Sequence, residues 1–151
     1  MKRILTLSLL AAFFFGCSKD KFETVPQVEI NSLEPGEVQN DGFFNLRATV
    51  RDKEGDLQDT IIMVRKRYVI GAANALTTDT LKYSIADFGF PDSQEIEIQA
   101  NFSYAEDRPG FIFINLETIA DREFAIGLIA KDKAGNRSEY RESNRIVLKK
   151  L

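Results

Sequence analysis

Apolar and polar residues alternate with a period of two through one segment of the chain after another, and that period decides the fold class. Val28 and Ile30 alternate with Gln27, Glu29 and Asn31. Phe44, Leu46, Ala48 and Val50 alternate with Asn45, Arg47, Thr49 and Arg51. Ile96, Ile98, Ala100 and Phe102 alternate with Glu95, Glu97, Gln99 and Asn101. Phe124, Ile126, Leu128 and Ala130 continue the series before Ile146 and Leu148, and Thr60 to Ile70 is β-branched and basic by turns. Successive side chains of a strand point to opposite faces, so alternation describes sheets with one dry face and one wet face, as in antiparallel pairing. No segment carries an apolar stripe at helical spacing over about twelve residues. Strands of this kind, separated by Gly, Pro, Asn and Asp, bury their dry faces by stacking two sheets. The expectation is an all-β antiparallel sandwich of about seven to eight strands.

In immunoglobulin-like lettering the expected strands are A at 25–33, B at 42–51, C at 60–70 and a short C′ at 79–85. D follows at 95–104, E at 111–118, F at 123–132 and G at 137–149. Pro35-Gly36 turns A into B, and residues 105–110, with Pro109-Gly110, turn D into E. Residues 71–78 and 87–93 read as loops. One domain over 25–151 is long enough to bury a core without a disulfide.

The N-terminus has a different character. Lys2 and Arg3 precede an apolar run from Ile4 to Phe15, then Gly16-Cys17, and the composition turns polar at Ser18-Lys19-Asp20-Lys21. The run suits a secretory signal and is too short for a membrane span, which needs about 20 apolar residues. Phe14-Phe15-Gly16-Cys17 resembles a bacterial lipobox, with Phe where Leu is usual. The resemblance implies cleavage after residue 16, a diacylglycerol thioether on Cys17 and acylation of the freed amine. Residues 1–16 are then a lipoprotein signal peptide and 17–24 an acylated tether. Several acyl chains on one Cys hold stably, each buried methylene contributing about 0.8 kcal/mol. Ser18-Lys19-Asp20 also resembles the signal that sends such lipoproteins to the cell surface, the periplasmic face of the outer membrane being the alternative. Loss of Lys2 and Arg3 takes the formal charge from −3 to −5. That balance argues against nucleic acid or a polybasic contact with anionic lipid.

The single Cys and the absence of His and Trp narrow the chemistry further. There is no imidazole for a hydrolytic triad or a soft metal site, and no thiol pair for zinc. Oxygen remains, which suits hard cations or sugars. Two turns share one form: Val50-Arg51-Asp52-Lys53-Glu54-Gly55-Asp56 and Ala130-Lys131-Asp132-Lys133-Ala134-Gly135-Asn136. Each ends an expected strand, where Asp accepts backbone N–H groups and Gly supplies a positive φ. In an immunoglobulin-like sandwich the B–C and F–G loops lie at one pole. The D–E turn is expected to join that pole, so Asp52, Glu54, Asp56, Asp132 and Asn136 are candidate calcium ligands, with Asp59 and, from the D–E turn, Glu106 and Asp107 as further donors. Calcium takes about six to eight oxygens. Lys53, Lys131, Lys133, Arg108 and Arg137 offer the acids simpler ion-pair partners. Turn acids on a small sandwich lack the deep cleft of a glycosidase, and no catalytic residue is expected. Phe102, Tyr104, Phe111 and Phe113 read as core and collar around the D–E turn, and Phe88-Gly89-Phe90-Pro91 as an exposed patch.

These features occur in a fixed order: the Cys17 lipobox, Val25-Pro26-Gln27-Val28-Glu29-Ile30, Arg51-Asp52-Lys53-Glu54-Gly55-Asp56-Leu57, and Ala130-Lys131-Asp132-Lys133-Ala134-Gly135-Asn136-Arg137-Ser138. In that order the chain resembles the small single-domain immunoglobulin-like lipoproteins of Bacteroidota. Many of those carry Asp-Gly-Asp-Gly-Asp-Leu where this chain has Asp52-Lys53-Glu54-Gly55-Asp56-Leu57. The resemblance implies a fold and an address more than an activity. The expected function is a monomeric, non-enzymatic binding or structural domain without a cofactor, anchored in the outer membrane and meeting a protein or glycan. The alternative is a calcium-dependent adhesion or carbohydrate-binding module using the B–C/F–G pole. Exposed G and C′ edges would admit a partner's strand.

Overall fold

The computed structural model describes residues 24–57, 59–85, 93–115 and 119–150. The signal segment, Cys17 and most of the tether lie outside the described residues, as do Phe88-Gly89-Phe90-Pro91 and residues 116–118 of the expected strand E. Ten strands follow in order: β1 (Gln27–Glu34), β2 (Glu37–Val38), β3 (Phe43–Arg51), β4 (Thr60–Tyr68) and β5 (Thr77–Ser84). Then come β6 (Glu95–Tyr104), β7 (Ile112–Ile114), β8 (Arg122–Lys131), β9 (Arg141–Glu142) and β10 (Ile146–Leu148). They form two sheets, β1-β3-β6-β7 and β2-β10-β8-β4-β5, with β9 also paired to β8. The fold is an all-β immunoglobulin-like sandwich.

The alternating runs bury the faces they promised. Phe44, Leu46, Ala48 and Val50 of β3 and Phe102 of β6 meet Phe124, Ile126, Leu128 and Ala130 of β8 in one core. Phe44 stacks on Phe102 at 4.8 Å between ring centroids and meets Phe124 edge-on at 5.7 Å, joining the two sheets. β1 changes parity along its length. Its pairing with β3 slips between Ile30 and Ser32, so Asn31 is the extra residue of a bulge. The bulge lets Val28 and Leu33, five positions apart, both face inward.

Four expectations are corrected. The sandwich is mixed rather than wholly antiparallel, since β2–β10 and β6–β7 pair in parallel. Residues 95–104 pair with β3 from Arg51↔Glu95 to Phe43↔Ser103, the place of strand E rather than D. The expected E strand shortens to Ile112–Ile114 and takes the D place beside β6. Strand G is two short pieces along β8, and β2 covers part of its outer edge. Period two reports which face a residue takes but not which strand lies alongside, so the order of neighbours escaped it.

Register also fixes the poles. β3 ends at Arg51 beside Gln27 and Glu95, so the chain enters the sandwich at the end where the β3–β4 turn lies. Lys131, the last residue of β8, pairs with Thr60, the first of β4, which brings the β8–β9 turn to the same end. The turn after β6 is at the other end, a strand of nine residues away.

Candidate functional site

Where β3 ends, the backbone N–H of Asp52 donates to the carbonyl of Gln94 at 2.9 Å, tying the turn to the approach of β6. The Asp52 side chain folds back over its own turn, and its Oδ2 accepts the N–H of Gly55 at 3.1 Å. Gly55 holds φ at +74°, which any side chain would strain, and its Cβ position faces Gln94. Gln94 returns the contact by donating Nε2 to the carbonyl of Lys53 at 2.7 Å. Asp56 forms an isolated bridge with Ser93, and its carbonyl accepts the N–H of Lys133 at 3.1 Å. The two matching turns are thus bonded to one another through the backbone.

The second turn uses the same device. Asp132 accepts the Asn136 backbone N–H on Oδ1 at 2.7 Å and the Asn136 amide Nδ2 on Oδ2 at 2.8 Å. Gly135, at φ +93°, closes the reversal with an N–H bond to the Asp132 carbonyl at 3.1 Å.

Three carboxylates from the two turns converge. One oxygen each from Asp52, Asp56 and Asp132 lies within 4.8 Å of the others. Asp52 is 0% exposed and Asp132 1%, while Asp56 is half-buried. Asp52 Oδ1 and Asp56 Oδ1 are both shut off from water and accept no hydrogen bond. Burial, and next the adjoining Asp56 carboxylate, push the Asp52 carboxyl above the ordinary Asp range, outweighing the backbone N–H groups that favour its charge.

The other expected donors go elsewhere. Glu54 is exposed on the turn and stands outside the cluster. Asn136 is present but turns its amide nitrogen to Asp132, so it orients a carboxylate. Asp59 pairs with Lys131 at 2.8 Å and is held below the usual carboxylate range by that ammonium. Glu106 and Asp107 belong to the opposite pole, where Glu106 pairs with Arg108, and the Arg108 guanidinium sits 4.7 Å from the Phe43 ring centroid. The collar around that turn is present: Phe43 meets Phe111 at 4.9 Å, while Phe102 and Tyr104 are core.

Sequence reasoning missed two things. Gln94, which braces the acidic turn, carries no signal beyond its place before a strand. A cluster on the outer face of β8 also went unread. The Tyr140 ring lies against Gly127, where a Cβ would come within 2.1 Å of it. Lys66 pairs with Glu142 at 2.6 Å, Tyr68 donates to the same carboxylate at 2.7 Å, and Arg145 stacks 3.6 Å from the Tyr68 centroid. Burial would raise Glu142, but Lys66, Tyr140 and Tyr68 together hold it below its ordinary value. Elsewhere an apolar groove of about 310 Å³ opens between β5 and β6, lined by Ile61, Met63, Tyr83, Ile96, Ile98 and Ile112 among others.

No protein-family model and no curated protein matches the chain. Among solved structures it is similar to Spo0M, a sporulation control protein from Bacillus subtilis. That likeness has a TM-score of 0.44 and 11% identity, and covers 84% of this chain and 50% of that one. A β-glucosidase from Listeria innocua gives a TM-score of 0.41 at 8% identity, over 82% of this chain and 16% of that one. BcpA, the major pilin subunit of Bacillus cereus, gives 0.38 at 8% identity, over 83% of this chain and 40% of that one. The chain thus spans half or less of the length of each.

Proposed function

We propose that the chain is a lipid-anchored, non-enzymatic binding or structural domain of the bacterial envelope, held at the outer membrane and displayed at the cell surface. The observation that carries this reading is Cys17, the lone Cys, placed where an apolar leader gives way to a polar tether. Support comes from where the sandwich begins. Gln27 pairs with Arg51, so the ten residues from Cys17 to Pro26 reach the domain at its acidic pole. Fully extended they span at most about 35 Å, which keeps that pole toward the membrane. The flanks and the pole carrying residues 105–111 are then left for a protein or glycan partner. The exposed β5 strand, Thr77–Ser84, is one edge open to strand addition.

Replacing the anchor residue tests the reading. Cys17→Ala should leave the leader uncleaved by the lipoprotein route and abolish incorporation of a labelled fatty acid. Protease added to intact cells should remove the wild-type domain if it faces outward and spare it if it faces the periplasm. Fatty-acid labelling that persists in Cys17→Ala would contradict the anchor.

A further inference from the structure

We propose that Asp52, Asp56 and Asp132 bind one calcium ion that clamps the β3–β4 turn to the β8–β9 turn. The inference deepens the binding-domain reading by giving the membrane-side pole a ligand, and it stands or falls apart from the anchor.

Proximity of acids alone would not carry it. The decisive feature is Asp52: fully buried, with Oδ1 unpartnered and its ligand oxygen beside those of two other carboxylates. An unpaired buried anion is costly, and a bound cation would relieve that cost. Asp56 offers a second unpartnered buried oxygen. Each Asp132 oxygen accepts one bond from Asn136, which orients the carboxylate and leaves a lone pair on each oxygen.

The dimensions admit calcium, whose oxygens sit at about 2.3–2.6 Å and so span up to about 5.2 Å across the shell, and the carboxylate oxygens fall within 4.8 Å of one another. Magnesium keeps most of its water, which a pocket with Asp52 and Asp132 buried would have to strip. Bound calcium would neutralise most of the charge of three acids drawn from two turns, and so lock loops that are otherwise mutually repelling. Without calcium, the simplest relief is a proton on buried Asp52.

The experiment is calorimetric titration of calcium into the full chain in detergent, with thermal melts in calcium, in magnesium and in chelator. Calcium modules outside the cell have dissociation constants of about 10⁻⁴–10⁻³ M, so about 5 mM calcium should raise the midpoint by about 3–8 °C. Asp52→Asn keeps the shape and should fold in chelator while losing that rise. Asp59→Asn, outside the cluster, should keep it. Equal midpoints in calcium and chelator together with no binding heat in the wild type would overturn the proposal. An equal rise from magnesium, or a full rise retained by Asp52→Asn, would overturn it as well.

Discussion

A carboxylate closed off from water must be protonated, paired or bound to a cation, and Asp52 is in that position. The sign of its pH effect follows. In the absence of a cation its folded pKa is raised, so the folded state holds the proton more tightly than the unfolded chain. Asp52 therefore favours folding most below about pH 3.9, and that contribution is lost as pH rises through the raised folded value. Chelated protein should thus show a melting point that Asp52 pulls down as the pH climbs out of the acid range. Asp52→Asn should remove that component and, because Asn can donate to Asp56, raise stability at neutral pH in chelator by about 1 kcal/mol. Melts at a series of pH values check both. Asn136→Ala removes one of the two donors on Asp132, and calorimetry should then find calcium binding weaker by about tenfold. The site was partly legible from residues alone. Asp and Gly separated by two residues recur in both turns, which pointed to Asp52 and Asp132, and topology supplied their meeting. Burial was not legible, since nothing in the spelling distinguishes exposed Glu54 from Asp56 two positions on.

Strands separate into those whose pattern suffices and those defined by neighbours. β3 and β6 alternate along most of their length, with Thr49 and Ser103 of the polar face buried as well, and they lie close to their expected bounds, as 43–51 and 95–104. β8 departs from alternation, for Ala125 and Gly127 on its outer face are buried too. Tyr140 supplies the cover, and partial desolvation against the sheet, with its bond to Glu142, pushes its hydroxyl up to about 12. Gly127→Ala should displace the exposed end of that ring and cost about 1 kcal/mol in a chemical melt. In a Tyr140→Ala background the same change should cost nearly nothing, because the two act through one contact. Phe44→Ala is the contrasting case. It removes a ring that touches both sheets, and unfolding should become easier by about 3–5 kcal/mol. The two-residue β2 and β9 and the three-residue β7 are too short to show a period, so only the finished sandwich defines them.

At the scale of the molecule, the sandwich has a charged end where the chain enters and an aromatic collar at the other. The entry point was legible, since strand A leaves from the B–C pole in any sandwich of this order, and Gln27 lies opposite Arg51. The assignment of the D–E turn to that pole was not, because it depended on which strand sits beside β3. A partner that approaches a domain tethered as proposed should crosslink to the flanks or to residues 105–111 rather than to residues 52–57 and 132–137. Crosslinking in intact envelopes, read by peptide mass spectrometry, checks that orientation. The anchor is measured most directly by the intact mass and N-terminal peptide of the protein purified from envelopes. The predicted result is a chain that begins at Cys17, lacks residues 1–16 and carries the mass of diacylglycerol plus an acyl group. A free Cys17 thiol that reacts with an alkylating reagent, on a chain beginning at any other residue, would contradict it.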